Sequence, residues 1–338
     1  MQVLSVLSLL NLAVAGAAPR FKAKILPTSA PILSTTSAYG GVVSLAGRAP
    51  GSTPTGMRLR NGILRDYNMR YGFSSSQAWT VGPDLTILHA SKPGGWNRRN
   101  LYELGNQLIE VTSANGAVEL TGGVGQKFLY GYSPRFPEGD FNSAAAIHDI
   151  TTGQTEVFQL LKHTWVAGGN SKGEFVIGTS QFDFRQPSTS RVIYYKEGRV
   201  EELVGPGSLL PTAMNDSGAI GAVDGIRSAY VWRRETGWRA LPTLPDSAQN
   251  SSLSLSNSGF ALCISNFGND GVNIPFVYDS SQAYKLEDVI TEGAYDRGIY
   301  NLTFAVLDPV TDSIYATLIN RTNNQDRKLV KIDAVPEP

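Results

Sequence analysis

Three histidines are the only imidazoles in the chain, His89, His148 and His163. They fall at strand ends far apart in sequence, with none of the i, i+2 or i, i+4 spacings that converge on a metal, and one cysteine cannot make a thiolate cluster. The expectation is therefore no metal site and no cofactor. His89 could reach a loop-rich face beside Trp96; His148 and His163 are expected to pack. Asp140, Asp183, Asp270 and Asp296 all lie in predicted loops. A glycosidase pair needs two carboxyl groups about 5 to 10 Å apart, and nothing in the spacing selects such a pair. The chain has no Gly-x-Ser-x-Gly elbow, no P-loop and no GxGxxG before a helix. GNDG at 268–271 is too short for a calcium loop. The catalytic residues are thus unassigned. The loops do carry aromatic and guanidinium groups: Trp96, Arg98, Arg99, Arg135, Phe136, Phe182, Arg185, Tyr295 and Arg297, with Asp183 among them. Aromatic faces and forked guanidinium groups suit sugar rings and carboxylates.

The elements that must position these loops are read best at Ala213 to Leu244. Leu209–Asn215 is a first apolar run. Asn215-Asp216-Ser217-Gly218 turns the chain, because Asn and Asp bond their own backbone and Gly accepts positive φ. Ala219–Val223 follows, then a turn at Asp224-Gly225. Ser228–Arg233 alternates Tyr230 and Trp232 with Ala229 and Val231, the period of a strand. Glu235-Thr236-Gly237 leads into Trp238–Leu241. Four antiparallel strands in about 35 residues are the size of a propeller blade.

The same order recurs with first strands near 32, 77, 117, 163, 209, 251 and 300, the spacing of about 40 to 50 residues that blades show. The last unit supplies only three strands. Phe21–Leu26 (FKAKIL) alternates, and is expected to complete it so that the ring has no open edge. The predicted fold is an all-β propeller, 19–334, of seven four-stranded blades, with six as the alternative. Turns between first and second, and third and fourth, strands are tight. The loops on the opposite face are long, among them 68–76, 91–100, 133–142, 181–190, 266–273, 288–298 and 320–327. Long loops on one face of a rigid ring are where binding sits.

Composition sets the outer limits. Lys plus Arg equals Asp plus Glu, 29 each in 338 residues, which removes any electrostatic case for nucleic acid. Gly at 35 and Pro at 18 fit many turns. Cys263, in FALCIS, is expected to be a buried small apolar side chain, and one cysteine makes no intrachain disulfide. Residues 2–15 are an apolar run ending in small residues, a secretory signal over 1–18; no other run is long enough to span a membrane. A secreted, extracellular or cell-surface monomer is expected. Sequons at Asn215, Asn250, Asn301 and Asn320 are glycosylation acceptors only in a host that glycosylates. Asn215 is expected to serve its turn.

The unit at 213–244 resembles the HAF repeat of extracellular bacterial proteins on Asn215, Asp216, Ser217, Gly218, Ile220, Gly221, Ala229, Tyr230, Trp232, Leu241 and Leu244. The likeness is partial at 256–278. Val335-Pro336-Glu337-Pro338 looks like the start of a PEP-CTERM sorting signal, which in that family directs export, anchoring or release at the cell surface. The uncharged start of the leader and the sequons also fit a secreted fungal protein. Two functions follow as expectations. One is a secreted or surface propeller that binds extracellular glycan or a small molecule through its long-loop face. The alternative is a secreted propeller enzyme with a channel-mouth site, a polysaccharide lyase or hydrolase or a cyclase of a small metabolite.

Overall fold

The structure, a computed structural model, describes residues 18–47, 53–93, 99–113, 116–134, 142–181, 190–245, 249–267, 272–279 and 281–336. Residues 1–17 of the expected leader and the last two residues of the VPEP tail lie outside them.

The chain is an all-β propeller. Its repeating piece is a four-stranded antiparallel meander, and the strands pair in chain order. One meander is Ile32–Tyr39, Val42–Gly47, Thr55–Arg60 and Ile63–Asp66. The next is Ser75–Gly82, Leu85–Ser91, Arg99–Leu104 and Gln107–Glu110. Glu119–Val124, Phe128–Pro134, Ser143–Asp149 and Gln154–Phe158 form a meander that joins the following one at Ser143 and His163. That following meander is His163–Gly169, Glu174–Ser180, Ser190–Lys196 and Arg199–Glu202. The unit read most completely from sequence is Leu210–Met214, Ile220–Val223, Ala229–Arg233 and Gly237–Ala240. Gln249–Leu255, Ala261–Phe267, Val272–Tyr278 and Ala283–Lys285 come next.

The last sheet holds Tyr300–Leu307, Ile314–Asn320 and Arg327–Ala334, and it takes Phe21–Leu26 from the other end of the chain. Phe21 stands opposite Ala334 and Leu26 opposite Leu329 in an antiparallel ladder, as the alternation of FKAKIL requires.

First strands of the sheets form the inner wall, and each carries a register shift against its second strand, as at Val166/Gly168 and Thr303/Val306. An extra residue there bends and twists the strand. The core is spread between successive sheets. Val176, Val192 and Tyr194 pack against Ile220 and Ala222 of the next sheet. Ala219, Val223 and Val231 in turn meet Leu253, Cys263 and Phe276. Burying each large apolar side chain contributes about 1.5–3 kcal/mol, so adhesion between sheets, more than hydrogen bonding within them, holds the ring. Cys263 lies in this layer as expected, and burial pushes its thiol up to about 11.

Three segments differ from the sequence reading. The 68–76 stretch, expected as a loop, opens with a short helix, Tyr67–Tyr71. Asp66 caps it by accepting from the Met69 N–H at 3.0 Å. Five residues are too few to show helical periodicity in sequence. Thr112–Ser113 and Gly116–Ala117 make a small hairpin before the third meander. Within 288–298, also expected as a loop, Ile290–Gly293 runs parallel to Phe21–Leu26 and covers its outer edge.

Candidate functional site

The long-loop face receives the loops between second and third strands and the crossovers between sheets. Trp96, Arg98, Arg135, Phe136, Phe182, Asp183 and Arg185 lie outside the described residues, as do Asp140, Asp270 and the side chain of Arg99. Tyr295, Asp296 and Arg297 lie inside them, on the last crossover.

That crossover is built from the backbone outward. After the strand ending at Lys285, Leu286–Asp288 makes one turn of 3-10 helix, and Ile290–Gly293 then pairs with the N-terminal strand. Gly293 is required here. Its φ is +97°, and a Cβ would stand 1.9 Å from the Ala23 carbonyl oxygen. The chain then turns at Asp296, whose Oδ1 accepts from the Gly298 N–H at 2.8 Å while its carbonyl accepts from the Tyr300 N–H at 2.9 Å. This turn sets Arg297 outward.

Tyr295 points the other way. It packs on the core beneath the last sheet and donates to Glu287 Oε2 at 3.2 Å and, alternatively, the Tyr300 carbonyl at 3.3 Å. Burial first, and then the Glu287 carboxylate, push its phenol well above the usual range. Tyr295 is therefore a strut for the site, and its ring is not the exposed face the loop position suggested.

In front of it is a cleft of about 380 Å³ lined by Glu287, Asp288, Arg297, Gly298 and Arg321. Arg297 Nη1 is 3.6 Å from Asp288 Oδ1, with side chains 71% and 55% exposed. An ion pair so wet is worth about 0–1 kcal/mol, so the guanidinium can exchange this partner for another anion. Arg321 is anchored by its Nε–H to the Arg297 carbonyl at 3.0 Å and by its N–H to the Ile299 carbonyl at 2.9 Å. The 320–326 loop that carries it is tied by Tyr300 Oη and Asn320 Nδ2, both donating to Asp326 Oδ2 at 3.0 and 2.9 Å. These two bonds hold the Asp326 carboxyl below the usual range. Two guanidinium groups beside two carboxylates can take a ligand bearing both a carboxylate and hydroxyl groups.

Sequence reading found Arg297 and the two loops, and missed Glu287, Asp288 and Arg321. Arg321 sits within a loop already singled out. Only the fold brings it beside a residue 24 positions earlier.

The histidines do not form a centre among the described residues. His89 does not reach the long-loop face: it is buried, its Nε2 lies 2.8 Å from the Leu120 carbonyl, and its ring packs 4.6 Å from that of Trp79. His148 is buried beside Tyr102, with Nδ1 3.0 Å from Thr155 Oγ1, and burial lowers its pKa. His163 is buried at the start of its strand. Among the described residues no three His, Cys, Asp or Glu side chains converge as metal ligands would.

Of the sequons, Asn301 is exposed. Asn250 is buried, and its Nδ2 donates to the Ser228 carbonyl at 2.6 Å and Asp224 Oδ1 at 3.2 Å, which leaves the folded protein no room for a glycan on that atom. Asn320 is half-buried, its Nδ2 held by Asp326 and its Oδ1 accepting from Thr322 N–H at 3.0 Å. Asn215 is buried in its turn. No helix among the described residues is long and apolar enough to cross a membrane.

No protein-family model matches the chain, and no curated protein does. Solved structures do. A streptogramin B lyase is 12% identical over 93% of this chain and 98% of its own, with a TM-score of 0.53. YCF48, solved with a D1 peptide bound, is 12% identical over 96% and 100%, also at 0.53. The propeller domain of the Trilobed protease from Pyrococcus furiosus is 10% identical over 90% and 95%, at 0.58. That domain is described as having an open velcro topology, whereas here the N-terminal strand is zipped onto the last sheet. Identities this low speak for the fold alone, and by that measure the chain is similar to β-propellers along nearly its whole length.

Proposed function

We propose that this protein is a secreted or cell-surface propeller that binds extracellular glycan through its long-loop face, with Arg297 and Arg321 as the groups that hold a carboxylate-bearing sugar. The observation that carries this reading is the cleft itself. It holds two guanidinium groups: Arg297, weakly paired, on a crossover that the N-terminal strand and Tyr295 lock from behind, and Arg321, on the 320–326 loop, anchored to that crossover. The apolar leader, the HAF-like unit and the VPEP tail support an extracellular address. The sequence expectation adds Trp96, Arg98, Arg135, Phe136, Phe182 and Arg185 to this surface. We read the ring as seven blades, because the eight-stranded sheet divides at one bridge, Ser143 to His163, into two four-stranded meanders.

The test is a glycan and polysaccharide array probed with residues 19–338, then with Arg297→Ala, Arg321→Ala and Trp96→Ala. Uronate-bearing ligands should bind and be recovered intact. Either arginine variant should lose affinity by about tenfold or more, since a hydrogen bond to a charged group is worth about 1.5–3 kcal/mol. Recovery of cleaved ligand would replace binding with catalysis. An array with no bound glycan would end the reading.

A further inference from the structure

A recess in the inner wall uses none of the residues of the rim cleft. It opens where the innermost strands Gln249–Leu255, Tyr300–Leu307 and Ile32–Tyr39 come together, and its volume is about 370 Å³. Thr35, Ser251, Ser252 and Asn273 give its polar lining, and Phe304 and Ala305 contribute apolar surface. Among the described residues no charged side chain lines it.

Two features of this recess are not accounted for by packing. Thr35 is 5% exposed, and its N–H donates to Thr317 Oγ1 at 3.1 Å, yet its own Oγ1 is buried without a hydrogen-bond partner among the described residues. A buried hydroxyl left unsatisfied is costly. Phe304 has φ +50°. The other described non-glycine residues with positive φ, Asn61, Glu197 and Asp312, lie in the connections between strands, while Phe304 lies inside one, in the bulge between Thr303 and Val306. A bulky side chain adopts this conformation only when its surroundings impose it, and such strain gathers at ligand sites.

We infer that the recess binds a small, uncharged, hydroxyl-rich molecule, of which a neutral sugar ring is the type. Ser251 Oγ already donates to the Ile264 carbonyl at 2.9 Å, so toward the recess its oxygen accepts. Thr35 Oγ1 can donate or accept. The apolar surface of Phe304 and Ala305 suits the C–H face of a pyranose. A charged ligand would lose its hydration and meet no counter-charge. The inference shares a ligand class with the proposed rim site but no residue, so either can fail without the other.

The test uses ligand-observed saturation-transfer NMR on the full chain with glucose, galactose and mannose, and glucuronate as the charged comparator. At least one neutral hexose should show transfer, and glucuronate should show none once the rim site is disabled by Arg297→Ala together with Arg321→Ala. Ala305→Leu, which fills the recess, should abolish the signal. Thr35→Val removes the unpartnered oxygen at nearly constant shape. It should weaken binding about tenfold while leaving the melting temperature unchanged or higher. Arg297→Ala should change neither. If Ala305→Leu fails to fold, Thr35→Val decides alone. Absence of transfer from all three hexoses, or transfer that survives Thr35→Val undiminished, overturns the inference. So does a Thr35→Val protein that melts lower and binds as before, because the hydroxyl would then be structural.

Discussion

Glu103 shows how far a single side chain can organise its surroundings. It is fully buried on Arg99–Leu104, and five groups face its carboxylate. Tyr67 donates to Oε2 at 2.9 Å and Tyr71 to Oε1 at 2.6 Å. Arg65 Nη1 donates to Oε1 at 2.9 Å, with Arg70 Nε at 3.4 Å and Arg58 Nη1 at 3.8 Å. Arg58 is itself only 5% exposed and also reaches the Pro83 carbonyl. Burial and the Glu103 charge together drive the Tyr67 phenol far above its usual range. Glu103→Gln keeps the shape and removes the charge that balances Arg58. Breaking one side of a buried pair costs about 3–5 kcal/mol, and urea unfolding should show a loss of that size. Little of this was legible in sequence. The arginines and tyrosines sit at 58–71 and read as a strand pair and a loop. Their partner is more than 30 residues on, in the next sheet, and no local period links them.

Asp224 carries a pH prediction at the same scale. Burial raises its pKa, but the N–H groups of Ile226 and Ser228 and the Asn250 amide outweigh burial and hold it below the usual carboxylate range. A depressed folded value means stability that is complete above the unfolded pKa of about 3.9 and is lost as pH falls through the folded one. Asp224→Asn should lower the urea midpoint at pH 7 and flatten its fall between pH 4 and pH 2. An unchanged acid slope in the variant would remove Asp224 from the acid response.

At the scale of elements, the turn that marks the repeat in sequence is also the clasp between sheets. Asn215 Oδ1 accepts from Ser217 Oγ at 2.7 Å and the Ala219 N–H at 2.9 Å, and Gly218 sits at φ +84°. That much is the turn chemistry read from Asn-Asp-Ser-Gly. The same side chain then reaches outward, its Nδ2 donating to the Ser256 carbonyl of the next sheet at 2.7 Å. Asp216 accepts from the Ser171 N–H of the preceding sheet at 2.9 Å and donates its own N–H to Asn257 Oδ1 at 3.0 Å. Asn257 continues to the Pro309 carbonyl at 2.7 Å, and Asp308 accepts from the N–H groups of Gly40 and Gly41. The turns therefore form a chain of bonds that passes from sheet to sheet. Asn215→Ala would leave the buried Ala219 N–H without its acceptor and take one of two donors from the Ser256 carbonyl, which keeps the Gly259 N–H. A buried group so stranded costs about 1–3 kcal/mol, and thermal unfolding should register it. Asp216→Ala, at an exposed position, should cost less. The turn was legible because its cause is local. The clasp was not, because its bonds join residues from 41 to 268 positions apart and depend on how neighbouring sheets are tilted. The short helix after Asp66 escaped notice for a related reason: one cap and five residues give too little pattern.

The whole ring depends on the strand that arrives from the other end of the chain. Phe21–Leu26 lies between Arg327–Ala334 and Ile290–Gly293, six residue pairs on one side and three on the other. Phe21 and Ala23 enter the same core layer as Leu262, Val330 and Ile332, while Lys22 and Lys24 stay exposed. Alternation made this strand visible in sequence, and the shortfall of one strand in the last unit said where it belonged. Removing residues 1–27 would uncover the ladder of Arg327–Ala334 and one apolar face beside it, an unprotected edge of the kind that pairs with other chains. It would also free Ile290–Gly293, and with it the crossover that presents Arg297. The shortened protein should therefore melt lower, elute as oligomers in light-scattering chromatography, and lose the rim site while the inner-wall recess is weakened less. A synthetic peptide of residues 18–28 should restore the elution of the full chain, since it supplies the missing ladder. A shortened chain that elutes and melts as the full one does would mean that adhesion between sheets closes the ring without its last strand.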